Sequence, residues 1–252
     1  MDSASIQPTP QAASSRDARA RVRGIESISA DDRSAMFELY SRHYADCSPG
    51  IFARDLSRKT HVVWLAAADA RLIGFSTLEV SLHETPWGLT RTLFSGDTII
   101  DPEHWGSQAL AFEWIRFAGE VQRAAPHVPL YWLLIVKGHR TYRYLKTFAL
   151  QYVPRADEGA AAALRPLRDF LAQERFGKAY DAPRGIVHFD VPQGRLVPSL
   201  AQIDERHLRL REVAFFVASN PRYAAGDELV CLCELAEHNL RPLAQRVFAG
   251  RA

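Results

Sequence analysis

The amino-acid sequence predicts an α/β protein with a mixed central sheet flanked by helices. Hydrophobic residues make up 47% of the 252 residues and charged residues 24%, so the chain can bury a large core. Short runs that are typical of strands alternate with longer stretches whose apolar residues recur at helical spacing. We therefore expect a sheet of about six or seven strands covered by helices.

The first part of the chain predicts a tail, a helix and three strands. Residues 1–24 are rich in Ser, Ala, Pro and Arg and have no apolar period, which predicts a flexible tail. Ser29, with Asp32 three residues later, predicts the N-cap of the first helix. Three β-type runs at 61–66, 72–80 and 89–100 then predict an antiparallel meander, in which Gly96 indicates a β-bulge.

The middle of the chain predicts a helix, a central strand and a second helix. Residues 107–124 carry apolar side chains on one helical face, and 138–150 return to helix. Between them, 130–136 is a continuous apolar run, which predicts a strand covered on both faces. We expect a right-handed crossover here, and a chain organised as a tail (1–24), a core (25–155) and a C-terminal α/β extension packed on the core (156–252).

Charge, hydropathy and cysteine usage argue against several classes of protein. With 31 basic and 29 acidic residues the formal net charge is only +2, so we expect no nucleic-acid partner. No apolar stretch is long enough for a membrane span, and the chain begins without a signal peptide, so we expect a cytoplasmic protein. Cys231 and Cys233 lie in an apolar run and read as core residues, so no metal is predicted.

The segment 99–152 resembles part of a known family. The turn Asp101-Pro102-Glu103-His104-Trp105-Gly106-Ser107-Gln108-Ala109-Leu110, the strand 132–136 and the helix 138–152 resemble the acyl-CoA-binding region of the GNAT superfamily of N-acyltransferases. The resemblance covers residues 30–155. In that family the turn reads Arg/Gln-x-x-Gly-x-Gly/Ala, and here Trp105, Gln108 and Leu110 stand at those three positions. The likeness is therefore to the order of elements more than to the fingerprint.

The resemblance implies a thioester donor, either acyl-CoA or the phosphopantetheine of an acyl carrier protein. Backbone N–H groups at the start of a helix form an anion site for the donor's phosphates. A side chain as large as that of Gln108 is expected to obstruct a tightly wrapped diphosphate. The residues that we expect to contact the donor are Ile99, Ile100, Trp105, Gly106, Ser107 and Gln108 at the turn, together with Arg140 and Arg143 of the following helix.

The helix after Gly138 is basic. Arg140, Arg143 and Lys146 share one stripe, and Lys137 precedes them. These cations would replace anion contacts that the turn has lost, receive an acidic carrier protein, or simply form a solvated face. The sequence leaves all three interpretations open.

Acyl transfer to an amine needs a base for the amine proton and an acid for the leaving thiolate. The resemblance implies a tyrosine acid in the basic helix, and we expect Tyr144 or, less favourably, Tyr142, although one alignment places Thr147 there. For the base we expect Asp97, which a bulge would direct into a cleft. His83 and Glu84 are weaker candidates in the loop that precedes this strand.

The resulting hypothesis is transfer of an acyl group from a thioester to the amine of a small-molecule acceptor. A non-catalytic binding or scaffold protein with the same fold is the alternative, and an ordinary βαβ unit of another fold is a third interpretation. A cleft between the strand that ends near Asp101 and the strand that begins near Leu130, with the tyrosine in it, would favour the enzyme.

Overall fold

The computed structural model describes residues 18–251, so residues 1–17 of the predicted tail and Ala252 lie outside it. Within this part of the chain there are ten strands and nine α-helices. The strands are β1 (Arg19–Gly24), β2 (Tyr44–Ala45), β3 (His61–Ala66), β4 (Leu72–Thr85), β5 (Gly88–Ile100), β6 (Leu130–Val136), β7 (Tyr180–Asp181), β8 (Ile186–Val187), β9 (Arg195–Leu196) and β10 (Glu228–Glu234). The helices are α1 (Ala30–His43), α2 (Pro49–Leu56), α3 (Ala109–Ala124), α4 (His139–Phe148), α5 (Arg165–Phe176), α6 (Pro198–Ala201), α7 (Glu205–Leu208), α8 (Arg211–Ser219) and α9 (Pro242–Phe248).

Eight of these strands form one sheet in the order β1-β3-β4-β5-β6-β10-β8-β7, and β2 pairs with β9 in a separate ribbon. β5 and β6 are parallel, whereas the remaining pairs are antiparallel. The predicted mixed sheet, the meander β3-β4-β5 and the interior position of β6 are confirmed. The sheet has more strands than predicted because β1 lies in the segment predicted as a tail and β7 is only two residues long.

β1 corrects the predicted tail. Arg19–Gly24 pair with β3 along their whole length, from Arg19 opposite Ala66 to Gly24 opposite His61. Ala20 and Val22 pack against the core, while the arginines between them lie at the sheet edge. Charged side chains protect an edge strand from pairing with further strands. The same arginines make the composition of this segment polar, and for that reason the strand was not predicted. The cap predicted at Ser29 is confirmed by a complete capping box with Asp32.

The segment β5-α3-β6-α4 is the predicted strand, long helix, apolar strand and helix. α3 begins at Ala109, two residues later than predicted from the pattern, and buries the expected apolar face that includes Leu110, Trp114 and Phe117. A side chain at Gly119 would overlap the carbonyl oxygen of Phe248, so this glycine allows α9 to lie close against α3.

The sheet has a buried cluster on each face. Val63 and Leu65 of β3 point to the side of α3, α4 and α9, and their neighbours Val62 and Trp64 point to the side of α1 and α2. α5 covers the other end of that second face, over β6 and β10. Two separate groups of helices therefore cover the second face side by side: α1 and α2 at one end of the sheet, and α5 at the other. β5 and β6 lie between the two groups.

The C-terminal residues complete the same sheet. β10 pairs with β6 from Leu229 opposite Val136 to Glu234 opposite Tyr131, and its central residues are fully buried. β10 thus belongs to the same sheet as β6, and the division of the chain at residue 155, with a C-terminal extension beyond it, stays a prediction. Residues 213–217, whose pattern is ambiguous, lie in α8. Residues 185–191 alternate as a strand would, but only Ile186–Val187 pair in the sheet.

Candidate active site

The site lies where β5 and β6 separate. Their parallel pairing runs from Arg91 opposite Leu130 to Ser95 opposite Leu134 and then stops. Beyond that point the end of β5 pairs with β4, and the end of β6 pairs with β10. The two strands therefore diverge, and a cavity of about 610 Å³ opens between them. This is the cleft that the acyltransferase hypothesis requires.

A β-bulge in β5 produces the divergence. Ser95 lies opposite Leu78, whereas Thr98 lies opposite Ser76, so β5 has one residue more than β4 across this step. A Cβ atom at Gly96 would lie 3.0 Å from the Thr77 hydroxyl and 3.1 Å from Cε of Lys59, so the bulge favours glycine. The bulge predicted at Gly96 is confirmed.

Asp97 follows that glycine and lines the cavity. Its backbone N–H donates to the Thr77 hydroxyl (3.1 Å), and its carboxylate makes no hydrogen bond or ion pair with another residue of 18–251. The side chain is closely surrounded by protein, and this burial, reinforced by the nearby Asp55 carboxylate, raises the pKa of Asp97 to about 7. The ammonium groups of Lys137 and Lys59 oppose the shift.

Two ion pairs flank Asp97. Nζ of Lys59 lies 2.8 Å from Asp55, and the Lys59 side chain is almost fully buried. Nζ of Lys137 lies 3.3 Å from the carboxylate of Glu228, which is buried and whose pKa is raised by that burial. Both lysines thus have a carboxylate partner of their own, so Asp97 is the acidic side chain of this group without one.

The two candidate tyrosines occupy different places. Tyr144 lines the same cavity as Asp97, and its burial raises the pKa of the phenol. Tyr142 is 1% exposed, and its hydroxyl donates to the carbonyl oxygen of Pro154 (2.8 Å), outside the lining of that cavity. The hydroxyl of Tyr142 is therefore not available to the cleft. The Thr147 hydroxyl is bonded to the carbonyl oxygen of Arg143 on an exposed surface.

The weaker base candidates lie elsewhere. Nδ1 of His83 is 2.9 Å from the Glu174 carboxylate and its Nε2 is 2.8 Å from the Thr92 hydroxyl. Glu84 is exposed near the β4–β5 turn. Neither residue lines the cavity, so Asp97 is the candidate base that the fold brings together with Tyr144.

The turn after β5 forms one end of the cavity. Of the donor-binding residues that the sequence predicts, seven line the cavity: Ile99, Ile100, Trp105, Gly106, Ser107, Arg140 and Arg143. Gln108 does not. It is exposed at the N-cap of α3, and its side chain makes no capping bond. The expected obstruction by Gln108 is therefore not seen, because the chain turns at Gly106 (φ +113°) and leaves this side chain outside the lining.

The predicted basic stripe is divided among different partners. Arg143 and Lys146 both approach Glu212 of α8, at 3.7 and 3.0 Å. Arg140 instead donates to the carbonyl oxygen of Leu200 (3.1 Å) and lies over the ring of Trp105. Among the four basic residues of this segment, Arg140 is the one without a carboxylate within 4 Å in the described part of the chain. The stripe is thus not a uniformly solvated face.

Sequence reasoning missed the cavity residues that come from distant segments. Lys59 and Glu228 lie far from Asp97 along the chain, and no local motif marks them. A C-terminal stretch also reaches the cavity through β9, which pairs with β2, and through Gln193, whose carbonyl oxygen accepts from the Tyr40 hydroxyl (3.3 Å). This contact brings Leu196, Leu200 and His207 to the wall. The available signal was a charged residue beside an apolar segment. Lys59 lies two residues before the apolar run of β3, and Glu228 begins that of β10, positions at which charged residues are rarely buried unless they are paired.

The described part of the chain offers no metal centre and no membrane span. Across residues 18–251, no three His, Cys, Asp or Glu side chains are grouped so that they could hold a metal ion. None of the helices there is long and apolar enough to cross a membrane.

Similarity to solved structures extends over about half of this chain. No family model matches the chain, and no curated protein does so significantly. Among solved structures, similarity is found to a probable N-acyltransferase from Enterococcus faecalis (TM-score 0.40, 15% identity, 54% of this chain and 33% of that one). A GNAT-family N-acetyltransferase from Escherichia coli in complex with CoA (0.39, 12%, 52% and 69%) and an acetyltransferase from Trypanosoma brucei (0.37, 17%, 56% and 99%) are also similar.

The match spans about a third of the Enterococcus protein's length. The antiparallel meander, the β5-α3-β6 crossover and the divergence of β5 from β6 are the arrangement that the sequence resemblance implied. Similarity at this level does not identify a reaction, a substrate or a partner, so the function has to be inferred from the site itself.

Proposed function

We propose that this protein transfers an acyl group from a thioester to the amine of a small-molecule acceptor, with Asp97 as the base and Tyr144 as the acid. The observation that supports this most directly is the position of Asp97. It lies in the opening between β5 and β6, has no cation of its own, and shares the cavity with Tyr144.

Asp97 has the properties of a general base near neutral pH. A base works best when its pKa lies near the working pH, since it must be deprotonated and still hold a proton well. The pKa of about 7 meets this condition, whereas an ordinary aspartate would be too weak a base. Asp97 would accept the proton that the amine nitrogen loses as its bond to the thioester carbonyl carbon forms.

Tyr144 suits the second half of the reaction. When the carbon–sulfur bond breaks, the leaving thiolate needs a proton, and the Tyr144 phenol is protonated at neutral pH and lines the cavity in which the thiolate would form. The proton passes from the Tyr144 hydroxyl to sulfur. The phenolate then regains a proton, and Asp97 loses the one it took, by exchange with solvent. No oxidant, metal or other co-reactant is needed.

The donor's phosphates would lie at the turn that follows β5. Gly106 has open space at its Cα, Ser107 and the first turn of α3 supply backbone N–H groups, and Arg140 supplies a cation. These residues suit both acyl-CoA and a carrier-bound phosphopantetheine. A cytoplasmic location, where such thioesters are made, goes with this proposal.

The experiment is a search for transfer with matched variants. The protein would be incubated with a panel of acyl-CoA and acyl carrier protein thioesters and with amines, and mass spectrometry would record the amide product and the free thiol. We expect transfer by the wild type, a large loss in Tyr144→Phe, and little loss in Tyr142→Phe if that variant folds as judged by circular dichroism. Thioester binding without amide formation would instead favour the non-catalytic binding protein.

A further inference from the structure

The cavity passes from one face of the sheet to the other. Tyr144, on its wall, packs with the apolar cluster on the side of α3 and α4. Phe176 and Phe189, also on its wall, pack with the cluster under α5 on the opposite side. Asp97 lies in the sheet between these two parts, where β5 and β6 diverge. With the donor on the side of α3 and α4, the acceptor would reach Asp97 from the side of α5.

The part of the cavity under α5 combines apolar rings with cations. The ring centroids of Phe94 and Phe176 are 6.2 Å apart, and those of Phe176 and Phe189 are 6.3 Å apart. Nζ of Lys59 and the guanidinium of Arg175 lie 5.1 and 3.6 Å from the centroid of the Phe94 ring. The wall therefore suits a ligand that has both an apolar portion and a charge.

The cations of this part differ in their partners. Lys59 is paired with Asp55 (2.8 Å), and both terminal nitrogens of Arg175 donate to Glu79 (2.9 and 2.6 Å). Arg58 also lines the cavity, and it is exposed. Its backbone N–H donates to the carbonyl oxygen of Asp55 (3.1 Å), but its side chain makes no hydrogen bond or ion pair with another residue of 18–251. The charge of Arg58 is therefore left for a ligand.

The cavity as a whole has an excess of positive charge. In the described part of the chain only three carboxylates line it, against six lysine and arginine side chains: Arg58, Lys59, Lys137, Arg140, Arg143 and Arg175. Glu79 and Glu212, which do not line it, pair with Arg175 and Arg143. Alkyl amines are protonated in neutral solution, so a simple ammonium ion would enter against the remaining excess. An amine that also carries a negative charge would not.

We infer that the acceptor is an amine that also carries an anionic group, a carboxylate or a phosphate, which Arg58 binds while the amine nitrogen faces Asp97. A guanidinium group suits either anion, because its N–H donors match the spacing of two oxygens. The inference rests on the proposed function and deepens it, since it names the class of acceptor. Arg58 is then a specificity-determining residue, and Arg140, on the other face of the sheet, is left for the donor.

Calorimetric titration with two matched pairs of amines tests this: L-phenylalanine with phenethylamine, and O-phosphoethanolamine with ethanolamine. The members of each pair differ by the anionic group alone. We expect the wild type to bind the anionic member of at least one pair more than about tenfold more tightly than its counterpart, and that pair shows whether the anion is a carboxylate or a phosphate.

Arg58→Ala should weaken the preferred anionic amine by about five- to fiftyfold, less than for a buried pair because Arg58 is exposed, and should leave its counterpart unchanged. Arg58→Lys should retain part of the affinity, since the charge remains but the fork of donors does not. Arg54→Ala removes an exposed arginine of α2 that lies outside the cavity lining. It is the matched control and should change neither affinity.

Three results would overturn the inference: no binding of either anionic amine by the wild type, equal affinities within both pairs, or unchanged affinity in Arg58→Ala. The proposed function fails separately. Acyl transfer that is equally efficient with the amines that lack an anion would overturn the role of Arg58 and retain the reaction. Binding that depends on Arg58, with no amide formed from any thioester, would support the anion site and remove the reaction.

Discussion

β5 carries two enclosed charged residues, Arg91 in its parallel-paired half and Asp97 in its bulged half. Arg91 donates to the carbonyl oxygens of Val121, Ala125 and Val128 at 2.6 to 2.7 Å and to the Gln122 side chain at 2.9 Å. These groups lie at and just beyond the C-terminal end of α3, where a cation also meets the negative end of the helix dipole. Asp97 has no such set of partners, although both residues belong to one strand.

The difference separates a structural charge from a candidate functional one. Burying a charge is costly unless hydrogen bonds compensate for the cost, and both terminal nitrogens of Arg91 have such bonds, although its Nε has no partner among the described residues. The Asp97 carboxyl has no such bonds there, so it binds a proton at a pH where an ordinary aspartate is ionised. A side chain kept in that state beside an open cavity is available to exchange a proton with a ligand. We therefore expect mutation of Arg91 to lower the stability of the fold, and mutation of Asp97 to lower the activity.

The largest expected effect is the loss of activity in Asp97→Asn. The amide has nearly the shape of the carboxyl but cannot accept the amine proton, so we expect the transfer rate to fall by about a hundred- to ten-thousandfold. The rate would be measured with the thioester and amine identified by mass spectrometry. Asp190→Asn, an exposed change outside the cavity lining, is the control. Activity within about twofold of the wild type in Asp97→Asn would exclude this residue as the base.

Arg91→Met is expected to act on stability instead. The change leaves four acceptors around the end of α3 without their donor, which should lower the free energy of unfolding by about 3 to 5 kcal/mol. Arg91→Lys should be intermediate, because an ammonium group cannot reach four acceptors in a fork. Urea denaturation followed by circular dichroism measures both variants. Arg116→Met, on the exposed side of the same helix, is the control, and an equal effect there would contradict the role of Arg91.

Asp97→Asn should also change how stability depends on pH. The pKa of Asp97 is raised in the folded state, so between about pH 4 and 7 the folded protein holds a proton that the unfolded chain has lost. Stability from this group is therefore lost as pH rises through that window. The variant should gain up to about 4 kcal/mol relative to the wild type at pH 8, from a shift of about three pKa units, and show almost no gain at pH 4. If the variant and the wild type differ in free energy of unfolding by the same amount at pH 4 and at pH 8, the pKa of Asp97 is not raised.

The smallest expected effect is that of Glu228→Gln on the titration of Asp97. Removing this negative charge leaves Lys137 free to stabilise the Asp97 carboxylate, so the pKa of Asp97 should fall, by up to about one unit. Lys137→Met should raise it. The pH profile of transfer would report both shifts. A midpoint that moves in the same direction in both variants would contradict the proposed electrostatic arrangement.

Much of the fold was predictable because its signals are local. The apolar run of β6, the period of α3 and the capping box at Ser29 each follow from neighbouring residues. β1 was missed because its core-facing residues, Ala20 and Val22, alternate with arginines in a segment whose composition resembles that of a disordered tail.

The site was predictable only in part. Gly96 followed by Asp97 indicates a bulge and the acid that it directs, and both could be read from the strand pattern. The electrostatic setting could not, since Lys59 and Glu228 meet Asp97 only through the tertiary fold. Likewise, the choice between Tyr144 and Tyr142 depends on which helix face meets the opening, a rotation that apolar periodicity leaves undecided when both rings are largely buried.

The pKa of Asp97, on which its role as the base depends, can be measured without a substrate. Carbon-detected NMR of the side-chain carboxyl groups, titrated from pH 3 to 9 and assigned by comparison with Asp97→Asn, gives the pKa of Asp97 itself. We expect a midpoint near 7 for this one carboxyl. A midpoint near 4, the ordinary value for aspartate, would show that Asp97 is compensated like Arg91 and would contradict its role as the base.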